Sequence, residues 1–273
     1  MQKYQAVSVL NVPLDFNSSH LRGPAEAPEV IHQAVFNGSA NTTAEMGINI
    51  GKDARIFQAG QVTWESEAEA FSAIDAKSSE LNAKQHKVLT LGGDHSITYP
   101  LIKSLAKQHD NLTILHFDAH PDLYHELQGN KHSHACPFAR IMENGLANRL
   151  IQVGIRTLNA HQSQQAEKFG VEVHQMKDWQ PGKDLKLTGP LYISIDLDAL
   201  DPAYAPGVSH HEPGGLSVRD ILGILQSIDV PIVGADIVEY NPNRDINGMT
   251  AMVCAKFYKE LAGLMLRDCE RQT

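Results

Sequence analysis

Asp118-Ala119-His120-Pro121-Asp122 sets three metal-ligand side chains two residues apart. In an extended chain, residues i, i+2 and i+4 point to one side, whereas a helix turns the middle one away. An extended path therefore predicts convergence of all three groups. Asp196-Leu197-Asp198 repeats the spacing with two carboxylates, and Gly92-Gly93-Asp94-His95 adds an imidazole after a glycine pair that permits an abrupt turn. His95, Asp118, His120, Asp122, Asp196 and Asp198 make six candidate ligands. One catalytic zinc ordinarily takes three protein ligands, so six suit two ions that share bridging carboxylates. Four carboxylates balance two divalent cations. An oxygen-rich set containing two imidazoles favours manganese, and the expected cofactor is two Mn2+ per chain.

A lone Asp-x-Asp at a strand end is ordinarily a turn or a cap, and His95 alone would pass for a core histidine. A calcium loop of the EF-hand kind is excluded, because Leu123 stands where that motif needs glycine and Gly129 where it needs glutamate. Only the conjunction of all four segments makes a metal centre.

These residues need elements to carry them. Apolar, β-rich runs alternate with amphipathic helical patterns, which predicts an α/β fold with a mostly parallel central sheet. Strands are expected at 7–10, 88–91, 113–117, 150–153, 191–195 and 232–238, and helices at 65–85, 97–109, 217–228 and 250–267. Asp94-His95, Asp118 to Asp122, Asp196 to Asp198 and Glu239 each follow one of the strands. In open parallel sheets the carboxyl ends of strands are where ligands bind.

The 273 residues include 42% hydrophobic and 20% charged side chains, enough for a sizeable core in a chain read as one domain, 1–273. The net charge of -9 argues against nucleic acid or an anionic membrane surface as partner, and no apolar run approaches a membrane span. Three cysteines, Cys136, Cys254 and Cys269, with no Cys-x-x-Cys pair, fit a reducing compartment. With no signal peptide evident in the first residues, the expected location is cytoplasmic. The 14 histidines are numerous, and His116, His120, His125, His132 and His134 lie close together, as a metal or catalytic site would have them.

Gly92-Gly93-Asp94-His95-Ser96, Asp118 to Asp122, Ser194 to Pro202 and Glu239-Tyr240-Asn241-Pro242 resemble, in order, the signature segments of the arginase/agmatinase (ureohydrolase) family. Ser133 to Glu143, Gly154 to Asn159 and Pro206 to Gly215 look most like plant-type arginases, with Cys136 where Ser is expected. Cys136 reads as a small packed side chain. The resemblance implies a three-layer α/β/α sandwich, two manganese ions, a homotrimer or homohexamer, and hydrolysis of a guanidino compound to urea and an amine by a metal-bridging hydroxide. It implies that Asp118 and Asp196 bridge the ions, that His95 and Asp122 complete one site and that His120 and Asp198 complete the other. Glu239 would bind the guanidinium, since a carboxylate pairs with its N–H donors in a fork. His134 would carry the proton to the leaving amine, with His132 and His125 as local rivals. Asn130, Asn159 and His210 are candidates to hydrogen-bond the far end of the substrate. L-arginine is the expected substrate, with agmatine or a guanidino acid as the alternative. A deacetylase-like enzyme of the same fold or a non-catalytic relative is the remoter reading.

Overall fold

The computed structural model describes residues 3–270; residues 1–2 and 271–273 of the 1–273 domain reading lie outside that range. Eight strands form one sheet: β1 Ala6–Val12, β2 Ile56–Gln61, β3 His86–Gly92, β4 Thr113–Phe117, β5 Arg149–Ile155, β6 Glu172–Gln175, β7 Leu191–Asp196 and β8 Ile232–Val238. Their order is β2-β1-β3-β8-β7-β4-β5-β6, and every pairing is parallel. The helices are α1 Ala27–Phe36, α2 Ala70–Ala83, α3 Thr98–Ala106, α4 Pro137–Glu143, α5 Ala160–Phe169, α6 Val218–Ser227 and α7 Met249–Glu270. α1, α6 and α7 pack together on one face, and α2 to α5 form a chain of contacts on the other. The three-layer α/β/α sandwich is thus present. Parallel strands buried on both faces read as nearly continuous apolar runs, and β7 and β8 are buried at every position.

The six strands expected from sequence are all present. The two others, β2 (IFQAGQ) and β6 (EVHQ), lie at the sheet edges and contain no fully buried residue, so they lack the apolar signature. α5 (AHQSQQAEKF) was equally hidden, because its buried residues are Gln162, Gln165 and Ala166. α6 starts one residue after the expected Ser217, which is its N-cap in a reciprocal capping box with Asp220.

The four strands that lead into the candidate site residues, β3, β8, β7 and β4, are neighbours in the middle of the sheet. All run in one direction, so their carboxyl ends share an edge. The Gly92-Gly93 pair serves close approach: a Cβ on Gly93 would lie 1.5 Å from the Leu14 carbonyl oxygen. That approach lets Asp94 N donate to Leu14 O (2.8 Å) and Glu239 N to Gly93 O (3.0 Å).

At the opposite edge, Lys87 is fully buried. It donates to Met265 O (2.9 Å) and faces Asp268 (3.7 Å), which also accepts from Ile232 N (2.8 Å). This ties α7 to the amino ends of β3 and β8. Burial lowers the Lys87 pKa against the pull of Cys269 and Asp268. Lys87→Met is expected to cost about 2 kcal/mol through the orphaned carbonyl and lost pair. Thermal unfolding should register the loss with kcat unchanged, because the ammonium lies at the edge away from the ligands.

Candidate active site

The ligand run after β4 is not a strand. The strand β4 ends at Phe117, and Asp122 has φ 50°, so the residues converge through a loop, contrary to the extended path expected. Likewise Asp196 ends β7 and Leu197–Ala199 form a single 3-10 turn, with Asp198 N donating to Asp196 Oδ1 (2.9 Å). The groups meet all the same. His95 Nδ1 lies 3.3 Å from Asp118 Oδ2, 3.1 Å from Asp122 Oδ2 and 3.1 Å from Asp196 Oδ2. His120 Nδ1 lies 3.3 Å from Asp118 Oδ1 and 3.0 Å from Asp198 Oδ2. Asp118 therefore turns one oxygen to each imidazole.

The donor set fits metal ions on a hydrogen-bond argument. The Ser194 hydroxyl donates to Asp236 Oδ1 (2.6 Å), which leaves its oxygen to accept from His95 Nε2 (2.9 Å). The proton of His95 is then on Nε2, and Nδ1 presents a lone pair. That nitrogen is buried with no hydrogen-bond partner, and three carboxylates face it. Lone pair against carboxylate is repulsive unless a cation lies between. Burial and the Asp118 charge push the Asp122 carboxyl up to about 6, and burial with Asp198 and Asp118 raises Asp196 well above the usual range. A cluster this costly to ionise calls for positive charge.

Several supporting residues were not foreseen. Gln152 Nε2 donates to Pro121 O (2.6 Å) and to His116 Nδ1 (3.0 Å), so His116 Nε2–H donates to Asp118 Oδ2 (2.8 Å). Burial holds the His116 pKa down to about 4, and the neutral ring orients Asp118 through a proton. Ser194 and Asp236 are register partners on β7 and β8. Gln152, His116, Ser194 and Asp236 are all buried polar residues within apolar strands, which is the signal that would have found them. Ser194→Ala is expected to weaken metal binding about 10- to 100-fold, measured by chelator competition, with kcat recovered at saturating metal. Arg156 spends its guanidinium on the carbonyls of Gly154, Asp198, Ala199, Leu200 and Glu212, binding the loops after β5 and β7 to the Glu212 loop.

The cluster opens into a cavity of about 220 Å³ whose wall includes His120, His134, His210 and Glu239. A larger cavity of about 580 Å³, beside α6, is lined by none of the six ligands; chemistry, not volume, decides between them. His134 Nδ1 bonds Glu239 Oε1 (2.8 Å), which also accepts from His95 N (2.9 Å). Burial opposes a charge on His134, yet Glu239, Asp122 and Asp94 hold its pKa up to about 9. Glu239 itself is at φ 61°, a left-handed conformation uncommon for a side-chain-bearing residue and often found at functional sites. The rivals point elsewhere: the His132 ring packs on Phe71 and Tyr99, and His125 meets His161 and Arg140.

The three candidates for the far end of the substrate separate. His210 lines the cavity, with its ring centroid 5.5 Å from that of His134 and its Nε2 buried without a partner. Asn130 instead donates to Asn17 Oδ1 (3.0 Å) and accepts from His132 N (2.8 Å), outside the cavity wall. Asn159 caps α5 through Gln162 N (2.9 Å) and donates to the Tyr124 hydroxyl. It is Tyr124 that reaches the wall. Both asparagine amides are occupied by local folding demands, which spacing cannot reveal. Cys136 is buried, its thiol pushed up to about 12 by burial, in keeping with a packed side chain.

A family model described as Arginase family matches residues 5–263. The chain belongs to the arginase family. The mitochondrial arginase 1 of Arabidopsis thaliana is 46% identical over 275 residues, 94% of this chain and 80% of that one. The solved arginase of Medicago truncatula superposes with a TM-score of 0.87 at 43% identity, covering 97% of this chain and 89% of the other. An N(1)-aminopropylagmatine ureohydrolase of Thermus thermophilus is 35% identical over 259 residues, 90% of this chain and 86% of that one. This arginase-family chain is accordingly a hydrolase of guanidino C–N bonds. The cytoplasmic expectation is overturned. Its plant relatives are named as mitochondrial or chloroplastic arginases, and the cysteine count behind the expectation does not distinguish one reducing compartment from another. Among the described residues, no helix is long and apolar enough to cross a membrane.

Proposed function

We propose that the protein hydrolyses L-arginine to ornithine and urea, with two Mn2+ held by His95, Asp118, His120, Asp122, Asp196 and Asp198, and that it acts as a homotrimer or homohexamer. The observation that carries the reading is the split of the Asp118 oxygens between two imidazoles, in a cluster whose His120, Asp122, Asp196 and Asp198 line a cavity of about 220 Å³. Likeness to plant arginases at 46% identity supports arginine as substrate. When bound, two divalent ions supply hydroxide near neutral pH.

The protein's residues do the rest. Glu239 Oε1 is held by His134 and His95 N, which fixes the carboxylate and leaves Oε2 to pair with the guanidinium. His134 protonates the leaving amine. Ser19 serves both states of that ring: its N–H donates to the neutral Nε2 (3.2 Å), and its hydroxyl (2.9 Å) accepts from the protonated one. His210, held neutral by burial and by the nearby His134 with a pKa near 4, lines the path between metals and mouth.

One observation favours agmatine as a second reading: among the described residues, no lysine or arginine lines the cavity wall to receive an α-carboxylate. Steady-state urea release at matched manganese loading decides. The expected kcat/KM for arginine exceeds that for agmatine. A preference for agmatine beyond about tenfold, or about 1.4 kcal/mol in transition-state binding, would reject arginine.

A further inference from the structure

Five carboxylates line the cavity: Asp122, Asp196, Asp198, Glu239 and Glu212. The first three belong to the ligand set, and Glu239 is locked to His134 and His95 N. Glu212 differs. Among the described residues, no hydrogen bond or ion pair engages its carboxylate. Its main chain, by contrast, is firmly anchored. Arg156 donates to Glu212 O from both Nε (2.8 Å) and Nη2 (2.5 Å). Immediately downstream, Gly214 N and Gly215 N donate to Asp201 Oδ2 (2.7 and 3.3 Å), and upstream His211 Nε2 bonds Pro206 O (2.8 Å). The nearby guanidinium of Arg156 does not neutralise Glu212 by direct pairing, since its donors go to main-chain carbonyls. Glu239 is 4% exposed, whereas Glu212 is half-buried, so the two mark the depth and the mouth of one cavity.

We infer that Glu212 is a specificity residue that receives an ammonium at the far end of the substrate, so the pocket selects guanidino compounds carrying a second cation over guanidino acids that lack one. This rests on the ureohydrolase reading and names the substrate class within it. An unpaired carboxylate on an anchored main chain, in a wall with no lysine or arginine among the described residues to pair with it, attracts positive charge. Pinning of the main chain removes the ordering cost that a mobile glutamate would incur. The selection is independent of whether a carboxylate accompanies the amine, so it applies to arginine and agmatine alike.

The test deletes the ammonium from the substrate and the carboxylate from the protein. L-arginine is compared with its analogue bearing hydroxyl in place of the α-amine, on the manganese-loaded wild type and on Glu212→Gln. The wild type should favour L-arginine at least about tenfold in kcat/KM, and Glu212→Gln should bring that ratio to within about twofold, mainly through KM. Metal content should be unchanged. A wild-type ratio near one overturns the inference without any variant, as does an equal loss on both substrates in Glu212→Gln, which marks a structural role for the loop. If urea appears from agmatine but not from arginine, the arginine reading fails. The same comparison with agmatine and its alcohol analogue then supports or overturns the role of Glu212.

Discussion

Asp118→Asn is expected to empty both halves of the metal site together and to cut turnover by more than about 10³, beyond the 10- to 100-fold typical of a residue that only orients a ligand. Among the six candidate ligands, Asp118 is the carboxylate whose two oxygens face different imidazoles of the set, Oδ2 at 3.3 Å from His95 Nδ1 and Oδ1 at 3.3 Å from His120 Nδ1. An amide offers one oxygen and no charge, and its NH2 would be turned toward a cation. The neighbouring ligands give the contrast. Asp122 approaches only His95 and Asp198 only His120 among the imidazoles of the set, so Asp122→Asn and Asp198→Asn should each weaken one ion more than the other. Elemental analysis after gel filtration, set beside urea release, reads both quantities. Two retained ions per chain in Asp118→Asn would remove it as the shared ligand.

His134→Ala should retain both ions and lose about 10²–10⁴ in kcat, the range for removal of a general acid. The imidazole bonds Glu239 and Ser19 and approaches none of the six ligands as a partner, so its loss is chemical rather than structural. The pH dependence carries the sign. Glu239 raises the His134 pKa to about 9 against the effect of burial. A general acid works in its protonated form, so the wild-type rate should hold as pH rises to about 9 and fall above it. That limb should be missing in His134→Ala. Wild-type kcat in the variant, or an unchanged alkaline limb, would transfer the proton step to another group. Added imidazole small enough for the cavity should restore part of the rate.

The candidate metal ligands were legible because chemistry leaves little choice: six Asp and His side chains at strand ends, each just after an apolar run, are hard to explain as caps and turns. The central strands were legible for a related reason, since burial on both faces demands unbroken apolar sequence. Edge strands β2 and β6 and the polar helix α5 carry no such demand and stayed silent. Composition was silent on compartment, and the cytoplasmic expectation failed there.

Sequence by itself determined which residue types meet at the sheet edge, the central strands and the family. Tertiary structure decided what those residues touch. Strand order placed β3, β8, β7 and β4 side by side, although they are far apart in the chain, and only that adjacency turns four separate segments into one centre. It assigned the proton on His95 through Ser194 and Asp236, drew Asn130 and Asn159 into bonds with the sequence-distant Asn17 and Tyr124, and left the Glu212 carboxylate on the cavity wall. Side-chain spacing cannot report these outcomes, because a hydrogen-bonding group satisfied by a neighbour in the fold has the same sequence signature as one left free for a substrate.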